Sequence, residues 1–227
     1  MRKQNNKEED DRMKKVIVAI GAHLDDIELA AGGTLAKAVR DGHDVHMIVM
    51  SQSGYTDYNG KVMRTNETAI QEGRNAARVL GCKDLDILDF SNKDIAYDSR
   101  AVEAIEKRIN IIKPDIIFTH WPFDTHQAHV AVGKSTISAA RRYNTIYFFE
   151  PISPSGRSYV GFRPQLYVDI TDVIDKKIAA LDEHVTEKNK YGDYWIRGVE
   201  ARAAFRGYEM GRMYGEAFEV LREELVL

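Results

Sequence analysis

The sequence predicts an α/β fold, with a Rossmann-like, open and mostly parallel sheet that carries helices on both faces of a single domain. Short apolar runs alternate with amphipathic segments of helical length through most of the 227 residues. This alternation is typical of right-handed βαβ units. No internal repeat, low-complexity tract or linker divides the chain. Its 44% hydrophobic residues are enough for one sizeable core.

The first half of the chain contains three predicted strands and two helices. The run VIVAIG is apolar throughout, as expected for a strand that is buried on both faces. Small and apolar residues recur at helical spacing in the segments between the strands, and Gly42 and Gly81 are placed to end the two helices. The elements are, in order, strand 16–21, helix 27–40, strand 45–50, helix 67–80 and strand 85–90.

The second half continues the alternation around one long irregular loop. Ser99 and Thr171 are predicted helix N-caps, and Pro114 closes the helix that Ser99 begins. Residues 151–164 contain three of the five prolines and are predicted to form the loop. The elements are, in order, a helix from 99 to Pro114, strand 115–120, helix 129–142, strands 145–149 and 166–170, helix 171–191, a helical segment to about 211, and strand 218–221.

Composition excludes several classes of protein. Lys and Arg number 32 against 35 Asp and Glu, which gives a net charge of −3 without a basic run, so nucleic acid is not an expected partner. No apolar stretch approaches the roughly 20 residues that span a bilayer. The single cysteine, Cys82, fits a reducing compartment. We therefore expect a cytoplasmic protein.

The N-terminal residues differ from the rest of the chain. Residues 1–12 (MRKQNNKEEDDR) are nearly all polar and lack the apolar region of a signal peptide. We expect a disordered tail at 1–12 and one domain over 13–227.

Metal-type ligands follow the first and fourth predicted strands. In the common 3-2-1-4-5 strand order these two strands are neighbours where the order reverses, which is where ligands bind in open parallel sheets. The first turn contains His23, Asp25 and Asp26, and the second contains His126 and His129. A dinucleotide site is not expected, because the first turn lacks the G-x-G-x-x-G glycines and its two carboxylates would repel phosphate.

The two turns together favour a catalytic metal site with three protein ligands and one open position. One of the consecutive aspartates would bind the metal while the other acts as a general base. Each turn alone has an ordinary alternative. Asp25 or Asp26 would serve as a helix N-cap, and His126 and His129 would be surface or packing histidines.

These residues resemble the motifs of the LmbE / PIG-L family of zinc-dependent N-deacetylases. The family's first motif, A/P-H-x-D-D-E, stands here as AHLDDIE at 22–28, and its second, H-x-D-H, stands as HQAH at 126–129. Segments 64–81, 167–171 and 215–218 also resemble the family. Both motifs in this order on this fold are a specific match.

The resemblance implies roles for five residues. His23, Asp26 and His129 would bind Zn²⁺, Asp25 would be the general base for a water activated at the zinc, and His126 would assist at the carbonyl oxygen. The implied reaction is hydrolysis of the acetamide of an N-acetylated amino sugar or sugar conjugate, with release of acetate.

Ala128 departs from the family, which usually has Asp at this place. A carboxylate there would orient His126 and favour its protonated form. Three explanations stay open: a natural variant in which Asp124 takes over, a degenerate enzyme, or an engineered substitution. We expect Ala128→Asp to raise activity.

Three further residues are candidates for substrate binding. Arg64 would bind a hydroxyl or an anionic group, with an exposed helix-start arginine as the alternative. Asn92 lies where many relatives carry an Asp that holds sugar hydroxyls. Glu150 follows the fifth predicted strand at the same sheet edge, with a loop carboxylate free of ligand as the alternative.

Two other functions compete with the deacetylase. Relatives on this fold include hydratases of unsaturated carboxylic acids, in which zinc and the Asp base would add water to an alkene. A catalytically impaired ligand-binding homologue is the other, since Ala128 replaces the usual acid. Because the family tends to assemble, a homo-oligomer is expected.

Overall fold

The computed structural model describes residues 14–224, and the predicted tail at 1–12 lies outside them. One sheet of seven strands has the order β5-β2-β1-β6-β7-β9-β8. A separate two-stranded hairpin consists of β3 and β4. The strands are β1 (Val16–Gly21), β2 (Asp44–Ser51), β3 (Tyr55–Thr56), β4 (Val62–Arg64), β5 (Asp84–Phe90), β6 (Ile116–Thr119), β7 (Ile146–Phe149), β8 (Leu166–Asp169) and β9 (Gly215–Arg222).

Seven α-helices and one short 3₁₀ turn at Thr171–Val173 connect these strands in the described residues. The helices are α1 (Asp26–Arg40), α2 (Asn66–Leu80), α3 (Ser99–Ile112), α4 (Gln127–Ala139), α5 (Ile174–Asp182), α6 (Val185–Tyr191) and α7 (Asp193–Glu209).

The sheet confirms the predicted fold class. The first five strands in the sheet order, which are β5, β2, β1, β6 and β7, pair in parallel. Strand β9 runs antiparallel to both of its neighbours, β7 and β8. One apolar layer packs α1, α2 and α5 against the sheet, and a second layer packs α3 and α4 against the opposite face. Helices therefore cover both faces of a mixed, mostly parallel sheet.

Several predicted boundaries are corrected by local hydrogen bonds. The N-cap of α3 is Asp98, whose carboxylate accepts the N–H of Ala101 at 2.9 Å, so Ser99 is the first helical residue. Thr171 does not cap a long helix. The N–H of Thr171 donates to the Asp169 carboxylate at 3.0 Å, and the chain forms a 3₁₀ turn there.

The long helix predicted at 171–191 is divided, and the β3–β4 hairpin was not predicted. The helical chain breaks at His184, between α5 and α6, and again at Gly192, whose φ is 71°. The segment 151–164 is irregular, as predicted. Within residues 14–224, no helix combines the length and the apolar character that crossing a bilayer requires.

Candidate metal centre and active site

The two ligand-bearing turns lie side by side at the carboxyl edge of the sheet. β1 pairs with β6, and Ile20 is opposite Thr119 in that ladder. The chain leaves β1 to enter α1 and leaves β6 to enter α4. This confirms the neighbouring placement that the sequence predicted at the reversal of strand order.

Backbone donors hold the carboxylate of Asp26 in the first turn. Its Oδ2 accepts the N–H of His23 at 2.7 Å and that of Ala22 at 3.1 Å. Burial opposes ionisation, but the charge of His129 and its hydrogen bond keep the pKa of Asp26 well below its usual range. Asp26 is therefore an ionised carboxylate with a fixed orientation.

The backbone of Asp25 is strained, and the pKa of its carboxyl group is unusually high. It occupies the N-cap position of α1, but its side chain makes no capping hydrogen bond, so the helix-cap alternative does not explain it. Its φ of 146° lies in a region that non-glycine residues avoid. Burial, together with the charge of Asp26, raises the pKa of Asp25 to about 7. A carboxylate with a pKa near neutrality suits a general base.

A carboxylate orients the second turn. Asp124 Oδ2 lies 2.9 Å from His129 Nδ1, while its Oδ1 accepts the N–H groups of His126 at 3.1 Å and Gly156 at 2.9 Å. Burial opposes ionisation, yet the hydrogen bond from His129 and these N–H groups lower the pKa of Asp124 to about 2. An aspartate that accepts from Nδ1 leaves Nε2 as the ligand atom of a metal-binding histidine.

The donor set fits a metal ion. His129 Nε2 lies 3.2 Å from Asp26 Oδ1. Because Nδ1–H of His129 donates to Asp124, Nε2 of a neutral ring is an acceptor. Nε2 and Asp26 Oδ1 are then two acceptors that face each other, and they require a cation or a proton near them. Burial lowers the pKa of His129, but Asp26 and Asp124 outweigh it and raise that pKa to about 10. The site therefore attracts positive charge at the point where a metal would bind.

The three predicted ligands fall in two overlapping groups. Ligand atoms of His23, His126 and His129 all lie within 4.8 Å of one another, and so do those of Asp26, His120 and His129. His23 Nδ1 is also 3.4 Å from Asp26 Oδ2. The predicted set of His23, Asp26 and His129 is thus divided between the two groups, and either group could hold a metal of the kind that prefers imidazole and carboxylate.

His126 is oriented by a backbone donor and not by a carboxylate. The N–H of Ala128 donates to His126 Nδ1 at 3.3 Å, so a neutral ring carries its proton on Nε2. Burial and the neighbouring charges of His129 and His23 lower the pKa of His126 to about 4. In this structure His126 is a neutral Nε2–H donor beside the cluster.

Ala128 does not face the cluster of His and Asp side chains. It is 1% exposed and belongs to the apolar layer between α4 and the sheet. A carboxylate at this position would be buried among alkyl groups, so the expected gain from Ala128→Asp is not supported by its surroundings. Asp124, which was predicted as the substitute acid, contacts the ring of His129 and only the backbone of His126.

His120 was not predicted as a site residue. Its Nε2 accepts the N–H of Ala22 at 3.0 Å, and its ring stacks on His129 with centroids 4.0 Å apart. Burial and the charge of His129 lower the pKa of His120 to about 4, so it is a neutral neighbour of Asp26. The feature of the sequence that could have identified it is its position as the last residue of the fourth predicted strand.

Arg64 lies inside the protein next to the pocket. It is 4% exposed, which makes the alternative of an exposed arginine wrong. Its Nη2 donates to Glu72 Oε2 at 2.8 Å and lies 3.2 Å from His184 Nδ1. Within the described residues its guanidinium is thus largely engaged by protein partners.

A buried network that the sequence did not predict lies behind Asp25. His184 is fully buried, and its Nε2 is 3.3 Å from Glu28 Oε1. Burial opposes its protonation, but Glu28 and then Asp25 raise the pKa of His184. The sequence predicted an unbroken helix at this point, whereas His184 lies at the break between α5 and α6.

Asn92 and Glu150 both line the pocket. Asn92 Nδ2 donates to the carbonyl of Gly54 at 3.0 Å, and its buried Oδ1 has no hydrogen-bond partner within residues 14–224. Glu150 accepts from Arg202 Nη1 at 2.8 Å and from Arg206 Nε at 2.9 Å. Asn92 therefore has a free acceptor, while Glu150 is held by two arginines.

The cluster opens into a cavity of about 520 Å³. This volume lies within the range of pockets for small organic ligands. Its walls combine the metal-type ligands with aromatic and charged side chains from the hairpin and from α6 and α7. The aromatic and cationic members are Tyr55, Arg64, Lys93, Trp121, Phe149, Lys190, Tyr191, Tyr194, Trp195 and Arg202.

An open parallel sheet with a His/Asp cluster at its central strand ends defines a Rossmann-like α/β protein with a candidate metal centre. Residues 18–140 match the PIG-L family, described as GlcNAc-PI de-N-acetylase. The chain belongs to this PIG-L (LmbE-like) family, as its two motifs predicted.

Named relatives of this chain include deacetylases and a hydratase. The uncharacterized deacetylase YaiS of Escherichia coli is 33% identical over 184 residues, which cover 75% of this chain and 91% of YaiS. The diacetylchitobiose deacetylase of Thermococcus kodakarensis is 26% identical over 89% of this chain and 81% of its own. The 4-oxalmesaconate hydratase of Pseudomonas putida is 24% identical over 83% and 82%.

A solved structure supports the fold. N,N'-diacetylchitobiose deacetylase from Pyrococcus horikoshii, in complex with its inhibitor MPG, superposes with a TM-score of 0.77 at 23% identity, over 93% of this chain and 85% of that one. The family to which this chain belongs thus contains deacetylases that act on sugar substrates, and it has a hydratase relative.

Proposed function

We propose that this chain is a Zn²⁺-dependent N-deacetylase that hydrolyses the acetamide of an N-acetylated amino sugar or sugar conjugate. The observation that carries the proposal is the pairwise proximity of His23, Asp26 and His129, which line the pocket together with Asp25. Membership of a family of deacetylases supports the reaction type.

We assign the metal to His23, Asp26 and His129. A bound Zn²⁺ would supply a Lewis acid for the carbonyl oxygen and would lower the pKa of a water toward about 7. The nitrogen and oxygen donor set and the carboxylate on His129 Nδ1 support this assignment.

The protein's own residues account for the proton transfers in the proposed mechanism. Asp25 accepts a proton from the attacking water as the new C–O bond forms at the acetamide carbon. His126 donates a hydrogen bond from Nε2–H to the oxygen that develops negative charge. The C–N bond then breaks, and the proton held by Asp25 passes to the leaving amine, so the products are acetate and the free amino sugar.

One pocket residue is proposed to contact the sugar, and two others are proposed to shape the pocket around it. The free Oδ1 of Asn92 would accept from a hydroxyl group. Arg64 and Glu150 line the same cavity but are engaged by protein partners. We therefore assign them to shaping the pocket and not to direct contact with the sugar.

The proposal is tested by metal analysis and an acetate-release screen. Purified protein should hold close to one Zn²⁺ per chain and should release acetate from N-acetylglucosamine or N,N'-diacetylchitobiose. Asp25→Asn is the matched control, because it should keep zinc and lose turnover. Water addition to 4-oxalmesaconate without acetate release would favour the hydratase alternative. Zinc binding without any turnover would favour the impaired homologue.

Two further properties belong to the proposal. The half-buried single cysteine, Cys82, is consistent with a reducing compartment, and we propose a cytoplasmic location. We also propose a homo-oligomer, which light scattering of the purified chain would measure directly.

A further inference from the structure

A buried ion pair lies against the middle of α1, outside the metal cluster. Lys177 in α5 is 2% exposed, and Glu216 in β9 is 4% exposed. Their charged ends are hydrogen-bonded to each other. Neither residue lines the main pocket, and nothing in the proposed reaction requires them.

The pair binds backbone groups that belong to the hydrogen-bond ladder of α1. Glu216 accepts the N–H of Gly33 at 2.9 Å and that of Thr34 at 2.7 Å. Lys177 Nζ donates to the carbonyl of Leu29 at 2.7 Å. In a regular α-helix the N–H of Gly33 would bond to the carbonyl of Leu29. Each of these two backbone groups has a charged side chain as a partner.

The sequence of α1 allows this approach. A Cβ atom on Gly33 would lie 2.7 Å from Ile170 Cδ1, so a larger residue would push α1 away. The two charges also match the peptide groups that they bind. The ammonium of Lys177 meets a carbonyl oxygen, and the carboxylate of Glu216 meets two N–H groups.

One backbone bond connects this pair to the proposed catalytic base. The N–H of Leu29 donates to the carbonyl of Asp25 at 3.0 Å, and Lys177 holds the carbonyl of the same Leu29. Asp25 has a φ of 146°. A residue with such a backbone persists only where its surroundings fix it from several sides.

We propose that Lys177 and Glu216 are positioning residues, which anchor the first turn of α1 and thereby hold Asp25 in its strained, productive orientation. The catalytic part of this inference rests on the proposed deacetylase function. The anchoring part rests on the contacts alone.

The test uses Lys177→Met, Glu216→Gln and the double variant, with N,N'-diacetylchitobiose as the probe. We expect kcat to fall about tenfold to a hundredfold in each, with KM changed less than about threefold, because a small misplacement of a catalytic group has that effect. The double variant should regain Tm relative to the single variants, since no unpaired buried charge is left. Its kcat should stay low.

Glu219→Gln is the control, because Glu219 is equally buried on the same strand and pairs with Arg163 at 2.8 Å away from α1. It should lower Tm without changing kcat at temperatures where the protein is folded. A double variant with wild-type kcat would overturn the proposal, and so would a kcat loss in Glu219→Gln equal to that of Glu216→Gln.

Hydrogen exchange provides a readout that does not depend on turnover. Amides of residues 26–32, including Leu29, should exchange at least about tenfold faster in the double variant, while those of 35–40 should change little. Unchanged exchange at 26–32 would overturn the anchoring. If the wild-type protein releases no acetate, the proposed function fails, but the exchange result still decides whether the pair anchors α1.

Discussion

The two turns that form the candidate metal centre are built in different ways. The turn after β1 supplies His23 and two carboxylates, and backbone N–H groups fix Asp26 while the neighbouring Asp25 is strained at φ 146°. The turn after β6 supplies imidazoles, and the single carboxylate of Asp124 fixes both the ring of His129 and the surrounding backbone.

This difference teaches which substitutions each turn tolerates. A carboxylate that is held by backbone N–H groups keeps its place when neighbouring side chains change, because the donors belong to the main chain. An imidazole that is held by one aspartate depends on that side chain. We therefore expect that removing a proposed metal ligand has similar effects in both turns. Removing a group that orients a ligand should have different effects in the two turns.

Removal of a metal ligand should have the largest effect. Asp26→Asn in the first turn and His129→Ala in the second should each lose stoichiometric zinc, because a three-ligand site is reduced to two. Acetate release should fall more than about a thousandfold, the scale expected when the activating metal is lost. Elemental analysis and the acetate assay measure the two quantities.

His43→Ala is the control for these variants, since His43 accepts the N–H of Lys15 at the opposite end of the sheet. It should keep both zinc and activity. Full zinc occupancy in either Asp26→Asn or His129→Ala would contradict the ligand assignment.

Removal of the proposed base should separate chemistry from metal binding. Asp25→Asn should keep zinc, while kcat falls about a hundredfold to ten-thousandfold, as is typical for loss of a general base. The measurement is kcat together with the zinc content of the same preparation. An active Asp25→Asn variant would require another base in the pocket.

Asp25→Gly sharpens the same comparison through stability. Glycine accepts φ 146° without strain, so this variant should be as inactive as Asp25→Asn but more stable by about 1 kcal/mol in urea unfolding. A less stable glycine variant would mean that the side chain of Asp25 contributes more to folding than its backbone conformation costs.

Removal of the supporting carboxylate should give an intermediate effect that is specific to the second turn. Asp124→Asn leaves His129 without an ionised acceptor on Nδ1, and zinc affinity should weaken about tenfold to a hundredfold. Excess zinc should restore much of the activity. Competition with a chelator measures the affinity.

Asp115→Asn is the matched control for Asp124→Asn, because Asp115 accepts the N–H of Val16 at 2.7 Å at the far end of β1. Its zinc affinity should equal that of the wild type. If Asp124→Asn also binds zinc normally, the orientation of His129 must come from packing against His120 and His126.

The sequence predicted the sheet order around the site because that order follows from local signals. Buried apolar runs mark the strands, and the right-handed connection between parallel strands limits how they are arranged. The adjacency of the first and fourth strand ends was confirmed on this basis. His184 and Glu28 could not be found in the same way. Their contact joins α1 to a break between two helices 156 positions later, and no local pattern records it.

The position of Ala128 shows the same limit in a single residue. The sequence places it one residue before His129, which suggests a role at the site. The helix α4 instead turns it toward the apolar layer, where it is 1% exposed. Only the helical geometry of residues 127–139 decides which of these neighbours reaches the cluster of His and Asp side chains.

Ala128→Asp should therefore have the smallest effect on chemistry and a measurable effect on folding. A carboxylate buried among apolar residues without a designed partner should lower the free energy of unfolding by roughly 1–3 kcal/mol. Acetate release should not rise. Gln127→Asp is the matched control, because it adds the same charge at an exposed position in the first turn of α4, where the helix dipole favours it. If Ala128→Asp instead increased kcat without loss of stability, α4 would have to rotate so that residue 128 faces His126. The second turn would then depend on two carboxylates, and its contrast with the first turn would be even stronger.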